Sequence, residues 1–277
     1  MDETKTISLY QGEVQIDFKE ASHSYWLLGE KKKRLTGVTT IIGKAYDKST
    51  VLMAWQLNET IASLLANKER LIQAQNESEI KEVLAEAKTA AADKRDLAAE
   101  IGSAIHAWVE SFIKGEAPEM PEDDRVAEGV NNFIKWLDSS GFKLLETEKI
   151  VYSRQHGYVG TLDITAEKDG KLYLLDIKTG NAIYPEYNIQ TAAYLKADQE
   201  ETGREYAGRV ILRLSKETEE EYYTRMKKKT ADDSKIPPFV LFEAREVDAE
   251  ENTIEEDYQA FLCCLGVYNW RKKYDKF

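Results

Sequence analysis

Cysteine is nearly absent from this sequence: two residues in 277, adjacent at Cys263 and Cys264. The thiolates that usually ligate an iron–sulfur cluster cannot be assembled from them, so no such cluster is expected. A bridge between neighbours is strained, and the pair reads as buried thiols of a reducing compartment. Basic charge is also short: 38 Lys and Arg against 50 Asp and Glu leave a net charge of −12. That argues against broad, non-specific adhesion to nucleic acid, which basic surfaces favour. It leaves room for an acidic site neutralised by bound cations. No apolar run reaches the length of a membrane span, and Met1-Asp2-Glu3-Thr4-Lys5 lacks the apolar stretch of a signal peptide. A cytoplasmic protein without a membrane partner is the expectation. There is no internal repeat and no low-complexity linker, and 42% hydrophobic residues suit a folded chain.

What is present changes its period along the chain. Val14, Ile16 and Phe18 alternate with polar residues, and Tyr25-Trp26-Leu27-Leu28 follows. A turn at residues 29–31 then leads to an extended run at 35–40, which predicts an N-terminal β-hairpin region over residues 1–47. Residues 48–140 predict helices. One is capped by Ser49 or Thr50, and a second covers 77–114 with a break or close packing at Gly102. A third covers 124–139. After Gly141 the period becomes two, with strands at 149–153, 159–166 and 172–178 turned by Gly157 and Asp169-Gly170. Pro185 opens a helix that ends towards Gly203, strands follow at 208–214 and 239–243, and an apolar stripe from Ile254 to Trp270 predicts a last helix. Residues 141–277 thus read as an α/β core, a sheet flanked by helices, within a single domain spanning 1–277.

The chemistry concentrates at Gly160-Thr161-Leu162-Asp163 and Asp176-Ile177-Lys178. On a strand, Asp176 and Lys178 project to one face while Ile177 turns away, and the Asp169-Gly170 turn brings Asp163 onto the adjacent strand. Two carboxylates beside an ammonium are costly unless something neutralises them. Hard oxygen donors with open positions suit Mg²⁺ or Mn²⁺. Lys178 can then orient water or stabilise charge on a transferring phosphoryl group. A blander reading stands beside this one, since Asp and Lys two apart on a strand also mark a solvated edge. Against it, Leu172-Tyr173-Leu174-Leu175 runs continuously into Asp176, as in a strand buried on both faces. Taken alone, Gln190 and Tyr194 read as one face of a half-buried helix, His106 as a packed, hydrogen-bonded residue, and Glu148 as exposed.

The order Gly102-Ser103-x-x-His106, Gly160-Thr161-Leu162-Asp163, Asp176-Ile177-Lys178-Thr179-Gly180 and Gln190-x-x-x-Tyr194 closely resembles the RecB-like branch of the PD-(D/E)xK nucleases. Phe18, His23-Ser24-Tyr25 and residues 35–42 look like the N-terminal hairpin of its phage-type exonucleases. The resemblance implies a restriction-endonuclease-like core with a mixed central sheet. It implies metal ligation by His106, Asp163, Asp176 and the Ile177 main-chain carbonyl, catalysis by Lys178 with Asp163 and Asp176, and support from Gln190 and Tyr194; Glu148, just ahead of the first core strand, is a supporting outer-shell acid by position alone. Leu162 stands where the superfamily name has proline, and Asp176 where it allows glutamate. The implied activity is Mg²⁺- or Mn²⁺-dependent exonucleolytic hydrolysis of linear DNA with a free end, in phage-type recombination or repair. A single-strand annealing or recombination protein is the implied partner. The alternatives are a catalytically silent nucleic-acid-binding protein with the same fold and an endonuclease using the same site.

Overall fold

The computed structural model describes residues 4–228, 230, 232–248 and 253–274. The first three residues, on which the reading of the chain's start largely rests, lie outside them. Two compact units emerge: one runs to Tyr46 and resumes at Ile105, and the other is Asp47–Ala104.

The first unit opens with an antiparallel sheet of β1 (Thr4–Leu9), β2 (Val14–Lys19), β3 (Ser24–Leu27) and β4 (Lys33–Arg34), in that spatial order. Alternation gathers Leu9, Val14, Ile16 and Tyr25 into a small core with Ile150, Tyr152 and Val159. The extended run expected at 35–40 is overturned. Only β5 (Thr36–Gly37) is extended there, and α1 (Val38–Ala45) begins at Val38. Helical spacing is what buries Val38, Ile41 and Ile42 together.

The second unit holds α2 (Ser49–Ala66), α3 (Lys68–Gln73) and most of α4 (Glu77–Ile113). Neither Ser49 nor Thr50 caps α2. Lys48 is the N-cap, and the Asp47 carboxylate takes the Ser49 N–H at 2.8 Å. α4 passes Gly102 without a break, and the chain leaves it through Gly115 at φ +76°.

In the first unit α5 (Asp124–Ser140) is capped by Asp123, whose side chain accepts from the Arg125 and Val126 amides, and stopped by left-handed Gly141. There follow β6 (Lys143–Ser153), β7 (Tyr158–Lys168), β8 (Lys171–Lys178), α6 (Pro185–Thr202), β9 (Gly208–Leu214), α7 (Glu219–Lys227), β10 (Phe242–Asp248) and α8 (Thr253–Tyr274). These strands and β5 form a mixed sheet, ordered β10-β9-β8-β7-β5, with β6 pairing β7 off that path. β8–β9 and β5–β7 are parallel and the other pairs antiparallel. The β7–β8 turn places Asp169 and Gly170 both at positive φ, as a two-residue hairpin loop requires.

α6 packs with α1 and α8, and Tyr158, Leu162, Leu174, Ala193 and Phe261 form the core there. Buried Arg209 of β9 ties these elements together by pairing with Asp257 of α8 and donating to the Asn188 carbonyl of α6 at 2.7 Å. Cys263 is exposed and Cys264 half-buried, against expectation, because Phe261 and Leu265 take the inward stripe of α8. Among the described residues no helix is long and apolar enough to cross a membrane.

Candidate active site

The site begins where β7 loses a neighbour. On one side β7 pairs with β6 throughout. On the other it meets β8 only from Ile164 onward and β5 only at Tyr158 and Val159. Residues 160–163 lie in the gap between. Asp163 occupies its end: Oδ2 accepts the Ile177 N–H at 2.9 Å, so a carboxylate stands where the next rung of the β7–β8 ladder would be. In an extended strand a residue's N–H and C=O face the same neighbour, so the Ile177 carbonyl turns to this gap as well.

Across β6, the pairs Thr147–Ile164 and Lys149–Leu162 bracket Glu148 and Asp163 as cross-strand neighbours. Like charges in that relation are destabilising. Glu148 also takes φ +49°, a left-handed conformation inside a strand, which costs an L-residue about 1–2 kcal/mol. His106, in the last turns of α4, joins this pair. One ligand atom from each of His106, Glu148 and Asp163 fall within 4.8 Å of one another, and His106 Nδ1 is 3.8 Å from Asp163 Oδ2. The helix end carrying His106 is held close to α5, since a Cβ on Gly129 would lie 2.3 Å from Ile105 Cδ1.

Asp176 is fully buried with Lys178 Nζ 2.6 Å from its Oδ2, while its Oδ1 has no hydrogen-bond partner. The Lys178 ammonium also lies over the Tyr187 ring, 5.0 Å from its centroid. Burial, reinforced by Asp163 and Glu110, pushes the Glu148 carboxyl up to about 8. Burial likewise raises the Asp176 carboxyl against the pull of Lys178. For Lys178 burial works downward, but Asp176 and Asp163 outweigh it and hold the ammonium charged. Negative charge is thus concentrated beyond what one lysine offsets. Three carboxylates, one of them with a buried and unpartnered oxygen at Asp176 Oδ1, together with the Ile177 carbonyl fit a hard divalent cation.

The structure therefore brings the sequence-predicted residues together in subsets. His106 and Asp163 cluster with Glu148, while Asp176 pairs with Lys178 one strand away, linked to Asp163 through the Ile177 amide. Glu148, read as exposed when taken alone, is half-buried inside the cluster. Counting the β6–β7 register back from the Gly157 turn would have placed it there, had β6 been recognised as far as Lys143. Tyr187 was not anticipated, nor was the Tyr25 hydroxyl, which bonds Thr161 Oγ1 at 2.7 Å and His23 Nε2 at 3.1 Å.

Gln190 and Tyr194 stand behind the site. Gln190 Nε2 donates to the Tyr194 hydroxyl at 3.0 Å, and the buried Tyr194 ring presses on Gly160, where a Cβ would lie 2.3 Å from Cε1. A rigid buried ring cannot yield easily. Gly160→Ala is therefore expected to destabilise the protein by about 1–3 kcal/mol, seen as a lower urea midpoint. An unchanged midpoint would mean that Tyr194 does not brace β7.

No family model matches the chain, and no curated protein matches it. Among solved structures, an alkaline exonuclease (LHK-Exo) from Laribacter hongkongensis is similar over 52% of this chain and 68% of that one, at 13% identity and a TM-score of 0.28. So slight a likeness shows neither fold nor function.

Proposed function

We propose that the chain is a divalent-metal-dependent nuclease with a restriction-endonuclease-like core, cutting DNA from an end. The observation that carries this reading is the meeting of Glu148, Asp163 and Asp176 across three consecutive strands, with His106 at one end and Lys178 at the other. Of the regions read from the sequence, 48–140 supplies His106 and 141–277 the remaining groups, in one nuclease domain. His106, Asp163, Asp176 and the Ile177 carbonyl would hold the cation, and Glu148 joins them as a further ligand. A bound Mg²⁺ or Mn²⁺ supplies positive charge and Lewis acidity at the scissile phosphate.

The chain's own residues do the rest. Asp163 fixes β8 by its bond to the Ile177 amide, which sets the spacing between the acids. Lys178 places its ammonium where negative charge builds on the phosphoryl oxygens as water adds to phosphorus and the ester oxygen leaves. Its ion pair with Asp176 keeps it protonated, which suits a charge stabiliser rather than a base. Gln190 and Tyr194 hold the strand that carries Asp163. Recombination or repair, with a single-strand annealing protein as partner, is the setting the sequence resemblance implies.

Digestion of end-labelled linear DNA tests the reading. Progressive shortening is expected with Mg²⁺ or Mn²⁺ and none with EDTA, while closed circular DNA stays intact. Metal-dependent cutting of the circle would replace the exonuclease with an endonuclease. Absence of any metal-dependent cutting would point to a catalytically silent binding protein.

A further inference from the structure

Two tyrosines at the start of α6, one of them under the Lys178 ammonium, are left without a role by the cation chemistry. Tyr187 puts its ring 5.0 Å from the ammonium, and its hydroxyl lies within electrostatic reach of Lys178 and Asp176. Tyr184 meets Tyr187 edge to face, with centroids 5.7 Å apart and planes at 77°. Pro185 follows directly as the first residue of α6, fixing the backbone between the two rings. Tyr184 is 42% exposed, so part of its ring is open to a ligand. The order outward from the reacting centre is therefore lysine, braced tyrosine, exposed tyrosine.

The chain's charge makes this placement informative. With a net charge of −12 and an acidic centre, it has little general attraction for a phosphate backbone. Stacking on an aromatic ring binds a nucleotide without needing charge, and it tolerates any sequence because every base has a π-face. We propose that Tyr184, braced by Tyr187, is the platform on which an unpaired base of the cut strand stacks while its neighbouring phosphate lies at Lys178. The proposal rests on the nuclease reading and narrows it to strands whose terminal base is released from the duplex.

The test uses the full chain with Mg²⁺ and oligonucleotides carrying 2-aminopurine at the 5′ end or the 3′ end, the terminal linkage being a phosphorothioate to slow cleavage. Stacking quenches this fluorophore. Wild type is expected to quench it at one end, Tyr184→Phe to retain the quench, and Tyr184→Leu to lose it. Tyr184→Leu should also raise KM for single-stranded ends by about tenfold, with the loss carried by KM rather than kcat. Tyr184 lies at the surface, and circular dichroism checks that both variants are folded. Tight binding and full quench in Tyr184→Leu would overturn the platform. So would unquenched probe on a wild-type protein that cuts DNA, leaving the nuclease reading intact. If wild type neither binds nor cuts with Mg²⁺ or Mn²⁺, the nuclease reading falls and the platform falls with it.

Discussion

Exchanging Asp163 for asparagine is expected to lower metal-dependent cleavage by at least about a thousandfold, equivalent to roughly 4 kcal/mol of lost transition-state stabilisation. The fold should survive, because an amide has the carboxylate's shape and its oxygen can still accept the Ile177 N–H. The charge cannot survive, and Asp163 is where the site's charges meet. It faces Glu148 across β6, lies in the cluster with His106, and holds the strand that presents Asp176 and Lys178. Rates on linear DNA, Mn²⁺ titration calorimetry and a urea curve together separate these contributions. A variant that keeps its unfolding midpoint, loses its heat of Mn²⁺ binding and loses activity is the anticipated result. Cleavage within tenfold of wild type would remove Asp163 from the reacting centre, and the nuclease reading with it.

The parts of this arrangement that were legible from sequence share a physical cause. Asp176 and Lys178 end an unbroken apolar strand, and alternation alone sets them on one face; the structure has them 2.6 Å apart. The two-residue turn at Asp169-Gly170 likewise fixes the β7–β8 hairpin by its need for positive φ. Glu148 was obscured because β6 begins at Lys143 and carries Glu146, Thr147 and Lys149 through its middle, a polar stretch with no apolar alternation to mark it as a strand. α7 was hidden in the same way: Glu219-Glu220-Glu221 and Arg225 give it no apolar stripe, and a capping box from Thr218 to Glu221 starts it instead. The strand expected at 239–243 was displaced onto β10, which starts at Phe242, because Phe239-Val240 is apolar yet follows Pro237-Pro238 ahead of the ladder, which Leu241 joins only through its carbonyl, accepting the Ser215 N–H at 2.8 Å. Tyr184 and Tyr187 gave no signal at all in sequence, since only the fold puts the start of α6 beside Lys178.

Glu148 also yields the second large effect. Glu148→Gln is expected to stabilise the metal-free protein at neutral pH while reducing what it gains from Mn²⁺. In the folded state burial, Asp163 and Glu110 raise this carboxyl from an ordinary 4.5 to about 8. Between those values the folded protein binds the proton more tightly than the unfolded chain, so wild-type stability falls as pH rises through that window. Glutamine carries no such dependence. The two proteins should match below about pH 4.5 and diverge up to about pH 8, where the difference reaches on the order of 3 kcal/mol, or roughly 5–10 °C in Tm. A cation reverses the relation, since the same uncompensated charge that weakens the empty fold becomes binding energy. At a hundredfold excess over its dissociation constant, Mn²⁺ should stabilise wild type by about 2.7 kcal/mol. The variant, one carboxylate poorer, should respond far less. Thermal melts in EDTA and in Mn²⁺ between pH 5 and 8.5 would display the crossing directly. If Glu148→Gln melts no higher than wild type in EDTA at pH 8, Glu148 is not strained by its neighbours, and if it gains as much from Mn²⁺, Glu148 is not part of the cation's shell.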